Sequence, residues 1–424
     1  MATSRSSQSS GIPARLMIVI VLLGLSVFIN YIDRSNLSIA APMLKDELHI
    51  SAAQLGLLLS AFFWTYASLN LFYGWLVDRV NVNWLFAGAF LLWSAATAAT
   101  GLVRTFAVLF TLRLLLGIGE AAAFPAYNKI LAVNFNEEHR GVANSVLSSG
   151  LLAGPGFGLL FGGLLMARFG WRPFFLVLGL ASLLWVLPWL KWMPHKHQAA
   201  VVADSAGSPN LLAFLLLRPA WGTCLGLFFG NYVSYFLLTW LPYYLVRERG
   251  FSLEKMAHVG GTAYFLGALA SILSGWLADR WIACGANPGV ARKTFTGGGI
   301  ALSGLCLGLG AFGGEAFCIA AITLGVIFFG VCASNIWAIT QALAGPQAAG
   351  RWSGFQNFFG NLAGILSPVL TGYVVDRTGH FGWAFLIVTA IGFAGSASWF
   401  WLTGPLRPVV WSRQPRAFPR PNES

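Results

Sequence analysis

The sequence predicts an all-α membrane protein with twelve transmembrane helices in two pseudo-symmetric six-helix bundles, and three observations carry that prediction. Of 424 residues, 57% are hydrophobic and only 9% charged, with a mean hydropathy of +0.70, whereas a soluble domain carries roughly a quarter charged residues. Apolar stretches long enough to cross a hydrocarbon core of about 30 Å recur from one end of the chain to the other. Two sequence motifs also occur twice, in matching places of the two halves.

Charges and Gly/Pro clusters punctuate the apolar windows at 15–42, 52–74, 84–103, 106–132, 142–166, 171–193, 221–246, 257–281, 293–313, 316–342, 352–375 and 381–403. The first window follows Arg5 and Arg15 and ends in small residues, the layout of a cleavable secretory signal. Its apolar character runs past Ala40, however, and similar segments follow to the C-terminus, so it reads as span one. The longest polar interruption, 195–210, divides the chain. The expected organisation is an N-terminal tail at 1–14, a first bundle at 15–193, a central loop at 194–220, a second bundle at 221–403 and a C-terminal tail at 404–424. Cys224, Cys284, Cys306, Cys318 and Cys332 are scattered without metal-type spacing and read as buried small hydrophobes. No metal or other cofactor is implied.

Lysine and arginine set the orientation, because cytoplasmic loops retain positive charge. With the N-terminus inside, sixteen of the 26 basic residues fall in cytoplasmic loops and tails and eight on the opposite side. The remaining two, Arg34 and Arg113, lie inside spans. Both termini are then cytoplasmic, and the expected setting is a monomer in the lipid bilayer of the inner membrane. The formal charge of +12 follows mostly from this loop bias and calls for no nucleic-acid partner.

The halves repeat. "GWLVDR" at 74–79 follows span two and "GWLADR" at 275–280 follows span eight. Arg140 precedes a glycine-rich span five ending in "RFGW", as Arg351 precedes a span eleven ending in "GHFGW". Parallel six-span repeats are a transporter architecture, with the substrate site near mid-membrane where the repeats meet. Glycines 150, 154, 158 and 162 of span five form small-x-x-x-small steps that suit close helix packing.

Away from the turns, the acids and bases inside predicted spans are Asp33 and Arg34 in span one and Arg113 and Glu120 in span four. A charge at a helix centre costs roughly 2.5 to 3.5 kcal/mol on insertion scales, so such residues face the bundle interior and mark a pathway or a pair. Two structural readings compete. Asp33 and Arg34 lie roughly 27 Å into span one at 1.5 Å per residue and could snorkel to the far interface, although apolar residues continue to Leu44. Arg113 and Glu120 lie two turns apart on one helix face and could simply hold helices together. The functional reading uses all four. Arginine is a fixed positive charge whose planar fork matches a carboxylate, while burial favours the neutral form of a carboxyl and lets it cycle its proton near neutral pH. An organic anion and a proton then share one cavity, and protonating the acids frees positive charge for the substrate.

Gly74, Asp78 and Arg79 match the Gly-x-x-x-Asp-Arg loop of the major facilitator superfamily, which the chain resembles. Val80-Asn81-Val82-Asn83 lacks the basic pair usual downstream of that motif. The resemblance implies a gating and structural role for Asp78, Arg79 and Arg140, with Asp78 able to pair with Arg140, and for Asp279, Arg280 and Arg351 in the second half. "NYIDRSNLSIAAP" at 30–42, "RLLLGIGEA" at 113–121, Tyr66 and "TWLPYYL" at 239–245 are similar to the anion:cation symporter family within that superfamily, over nearly the whole chain. This implies that Asp33 and Glu120 are protonation sites, Arg34 the anion anchor and Arg113 the partner of Glu120. Which arginine is the main anchor stays open. Tyr31, Tyr66, Ser334, Trp337 and Asn357 are the implied substrate contacts, whereas Leu227 and Phe228 stand where sugar-acid carriers often have glutamine.

The expected function is proton-coupled uptake of a small organic anion, a hexonate, hexuronate or aldarate first and an aromatic or other carboxylate as the alternative. A drug exporter would explain "GLLAGPG" at 150–156, but the second glycine pair of that motif is absent and Arg34 suits anions. A membrane enzyme would need clustered His, Asp or metal ligands, and the six histidines are loop or boundary residues apart from the acids.

Overall fold

Apolar runs with few helix breakers form the helices, and the breakers decide where those helices bend. The computed structural model describes residues 13–77, 79–135, 137–194 and 211–411, and every regular element among them is helical. The first half comprises α1 (Ala14–Leu48), α2 (Ala52–Leu76), α3 (Val82–Thr100), α4 (Phe106–Ala121), α5 (Ala123–Asn134), α6 (Glu137–Phe157), α7 (Gly163–Phe169), α8 (Trp171–Leu183) and α9 (Val186–Trp192). The second half comprises α10 (Leu211–Leu215), α11 (Arg218–Arg247), α12 (Leu253–Ala283), α13 (Pro288–Lys293), α14 (Gly299–Gly310), α15 (Glu315–Ala333), α16 (Ile336–Asn361), α17 (Ala363–Thr378) and α18 (Gly382–Ala397).

Eleven helical segments among the described residues are long and apolar enough to cross a membrane. The ninth window runs without a break through α13, a π-turn at Thr294–Gly298 and α14, and π-turns at Gly158–Gly162 and Ser398–Leu402 likewise lie within spans five and twelve. Lys293 and the glycines make the ninth less apolar than the eleven. The predicted span four is interrupted at Ala122, between α4 and α5. Pro125 has no N–H to give the carbonyl one turn back, and Asn70 Nδ2 donates to that carbonyl, Ala121 O, at 3.4 Å. Span ten runs into span eleven through Gly345, whose φ of +66° and ψ of 171° no β-branched or bulky residue readily adopts.

The chain divides into two compact units. One holds Met1–Leu48 and Trp64–Ala200, the other His49–Phe63 and Val201–Ser424. The start of α2 therefore groups with the second unit. There Asp376 of α17 accepts from Ala52 N and Ala53 N at 2.8 Å each, satisfying donors that a helix start leaves open. Within the first unit, α1 and α6 approach closely along the predicted glycine stripe. A Cβ placed on Gly150 would lie 2.8 Å from Gly24 O, and one on Gly154 2.5 Å from Tyr31 Cβ. Cys224, Cys318 and Cys332 are buried as expected, but Cys284 is exposed just past the end of α12, so burial does not hold for all five cysteines.

Candidate functional site

The "NYIDRSN" stretch of α1 lies in a part of the helix buried on nearly every side. Asp33 is 1% exposed and Arg34 7%, so neither reaches for an interface. Neighbouring helical positions point about 100° apart, and the two charges meet different partners. Arg34 Nε donates to Glu120 Oε2 of α4 at 3.0 Å, and Glu120 is fully buried. The same guanidinium lies 4.8 Å from the Tyr31 ring centre and 4.5 Å from that of Tyr66, distances at which a ring face attracts a cation. Asp33 Oδ1 accepts from Asn36 Nδ2 at 3.5 Å, and the carboxylate faces Thr97 of α3.

Arg113, 5% exposed, lies within electrostatic reach of both Asp33 and Glu120. Sequence spacing pairs Glu120 with Arg113, and the fold adds Arg34 from the facing helix. The first unit thus gathers Tyr31, Asp33, Arg34, Tyr66, Arg113 and Glu120, six expected site residues, around one buried ion pair. Packing explains why they meet. The glycines of α6 let α1 sit close, fixing Tyr31 from behind. Thr65 Oγ1 donates to Leu114 O at 2.8 Å, tying α2 to α4 beside Tyr66.

The second unit holds the neutral candidates. Ser334 Oγ bonds Ser274 Oγ at 3.0 Å, Asn335 Nδ2 at 2.8 Å and Val331 O at 2.9 Å. Asn357 is half-buried on α16, and its carbonyl accepts from Asn361 Nδ2, while Tyr235 Oη donates to Asn361 Oδ1 at 2.8 Å. Thr340 Oγ1 donates to Gln356 Oε1 at 2.6 Å, with both side chains fully buried. Trp337, by contrast, is 42% exposed. Asn30, Asn36 and Thr97, which sequence reasoning passed over, belong to the first cluster. Asn30 precedes Arg34 by one helical turn, a spacing that marks a shared face.

The "GWLxDR" repeat reappears as a contact. Arg79 lies 3.9 Å from the Trp75 ring and Arg280 5.5 Å from the Trp276 ring, the same four-residue step in each half. Asp279 lies 3.6 Å from Arg292, and Arg351 is exposed. Asp78 and the side chain of Arg140 lie outside the described residues, and with them the pair expected between them. No group of His, Cys, Asp and Glu suited to a metal occurs among the described residues.

A sequence model of the Major Facilitator Superfamily matches residues 23–368. The chain is 32% identical to the hexuronate transporter of Bacillus subtilis (strain 168), over 89% of this chain and 92% of that one. It is 32% identical to a probable sulfoacetate transporter of Cupriavidus necator, over 89% and 91%, and 29% identical to the D-galactonate transporter of Escherichia coli O6:H1, over 93% and 97%. Among solved structures, an inward-facing bacterial homologue of the human lysosomal transporter Spinster superposes with a TM-score of 0.77 at 20% identity, covering 93% of this chain and 98% of that one.

Proposed function

The chain belongs to the Major Facilitator Superfamily and is a membrane transporter, not an enzyme; from that premise we propose that it takes up a sugar acid together with protons, by alternating access. The observation that carries the reading is the Arg34–Glu120 ion pair, buried within a membrane-spanning bundle. An intramembrane pair of this kind is costly to keep, and a carrier of anions and protons has a use for it. Glu120 ionised holds the Arg34 guanidinium. Glu120 protonated gives up its charge, and the guanidinium turns its fork to the substrate carboxylate. Arg113 and Asp33 complete a balanced set of two cations and two acids, with Asp33 as the second proton carrier. Tyr31 and Tyr66 frame the anchor, while Ser334, Trp337 and Asn357 read the rest of the substrate.

The named relatives support this substrate class, since two of those above carry hexuronate and galactonate in their names. Arg79, Arg140, Asp78, Asp279, Arg280 and Arg351 serve the rocking of the halves, in a protein set in the inner membrane with both termini cytoplasmic. The test uses purified protein in liposomes with an alkaline interior and labelled D-glucuronate, D-galactonate or sulfoacetate outside. Accumulation of a sugar acid that collapses when a protonophore dissipates the gradient is the expected result. Accumulation of sulfoacetate alone would overturn the substrate class, and accumulation indifferent to the gradient would overturn the coupling.

A further inference from the structure

Arg34 does not stand alone on its stripe of α1. Asn30 and Ser26 lie one and two turns before it on the same face, and they are 1% and 0% exposed. A matching row runs down the facing chain, from Glu120 at the end of α4 to Tyr127 on α5, which is 1% exposed. The rows meet rung by rung. Arg34 bonds Glu120, the Asn30 side chain faces the Glu120 carboxylate, and Ser26 Oγ lies 2.9 Å from Tyr127 Oη.

The last rung has a direction. Ser26 Oγ also lies 2.6 Å from Leu23 O, which can only accept. A serine hydroxyl has one hydrogen, so Ser26 donates to Leu23 and Tyr127 donates to Ser26. The Tyr127 oxygen then remains an acceptor. The middle rung is different. Asn30 Nδ2, Asn30 Oδ1 and Glu120 Oε1 are all buried and make no hydrogen bond of acceptable geometry within the protein. Buried polar atoms of both kinds in one place are where ordered water resides.

We propose that Asn30 is a positioning residue for Glu120: its amide and Glu120 Oε1 share a water, which opens a hydroxyl-lined file through Tyr127 and Ser26 for proton exchange. This rests on the proton-carrying role proposed above for Glu120. In the step, the O–H bond of protonated Glu120 breaks and its electron pair stays on the carboxylate. The water takes that proton and gives one to Tyr127 Oη, Tyr127 gives its own to Ser26 Oγ, and Ser26 turns its O–H from Leu23 O and releases that proton to solvent water entering from the start of α1. The Asn30 amide transfers nothing; it fixes the water. Arg34 and Arg113 receive the carboxylate as it ionises, and Tyr31, Asp33 and Tyr127 are the other titratable groups in its field. The hydroxyls of Tyr127 and Ser26 lie toward the start of α1 and the end of α5, so the file leads away from the Tyr31–Arg34–Tyr66 side where the anion is anchored.

The experiment compares wild type, Asn30→Leu, Asn30→Ser and Tyr127→Phe in liposomes, by gradient-driven uptake of labelled D-glucuronate and by its counterflow without a gradient. Asn30 positions the proton carrier without being one, so Asn30→Leu should cost less than the roughly 10²–10⁴-fold of a proton-transfer group itself: gradient-driven uptake should slow about tenfold while counterflow stays within about twofold. Asn30→Ser, small enough to admit a second water, should recover part of the loss, and Tyr127→Phe should slow the driven rate alone. Equal losses in both assays would mark a structural role and overturn the proposal, as would wild-type driven uptake in Asn30→Leu. Should Asn30→Leu fail to fold, unchanged ratios of the two rates in Asn30→Ser and Tyr127→Phe would overturn it as well. Wild-type uptake indifferent to the gradient would instead refute the proton-carrying role of Glu120, and the file with it.

Discussion

The two compact units bury polar groups in opposite styles. In the first, the buried set includes two acids and two arginines, Asp33, Glu120, Arg34 and Arg113. In the second, no acid among the described residues is buried; the buried Lys293 donates to backbone carbonyls, Phe400 O and Gly404 O, and side-chain pairs such as Thr340 with Gln356 and Tyr235 with Asn361 join neutral groups. Charged groups respond to protons and fixed charge, whereas neutral amides and hydroxyls respond to shape and hydroxyl pattern. Under the proposed function, coupling and charge recognition fall to the first unit and discrimination among similar anions to the second. Each substitution below tests that division.

Removing Arg34 should have the largest effect. Arg34→Ala leaves Glu120 buried without its hydrogen-bonded cation, a change that costs about 3–5 kcal/mol in buried pairs, and it deletes the proposed anchor. A thermal-unfolding assay should show a large drop and liposomes no uptake; the double variant Arg34→Ala/Glu120→Gln should regain stability without regaining transport. Wild-type uptake in Arg34→Ala would remove charge recognition from this site. Next comes Glu120→Gln, which keeps shape but loses titration. Gradient-driven accumulation should disappear while counterflow persists, and full accumulation would take Glu120 out of the proton path.

Packing behind the site gives a third, smaller effect. Gly154→Ala forces a methyl against Tyr31, and overpacking of this kind costs typically about 1–3 kcal/mol. Lower thermal stability with a raised KM is expected, and an unchanged KM would mean that Tyr31 is not held against the anion. The smallest effect belongs to the second unit. Tyr235→Phe deletes one neutral hydrogen bond, worth about 0.5–1.5 kcal/mol, so uptake should show a few-fold change in KM with its pH profile unmoved. A shifted pH profile there would break the division between the units.

Much of this was legible in the chain. The spans follow from hydropathy, because length and apolarity alone decide what crosses a bilayer, and all four intramembrane charges stand out against their surroundings. That span five packs closely on a neighbour was legible too, since glycines at four-residue steps have few other uses inside a span, though not that the neighbour is α1. Partner choice was not. Glu120 and Arg34 lie 86 positions apart, and no helical periodicity connects residues on different helices, so spacing favoured Arg113 on the same helix. Asn30 escaped for a different reason: beside Asp33 and Arg34 a neutral amide looks incidental, and only its burial opposite Glu120 gives it meaning.

The central claim is that anion and proton move together because Glu120 and the substrate compete for Arg34. It is tested most directly by adding D-glucuronate to weakly buffered proteoliposomes and following external pH. Wild type should make the medium alkaline in step with labelled uptake, and Glu120→Gln should exchange the label with no pH change. Uptake by wild type with no accompanying proton movement would contradict the account.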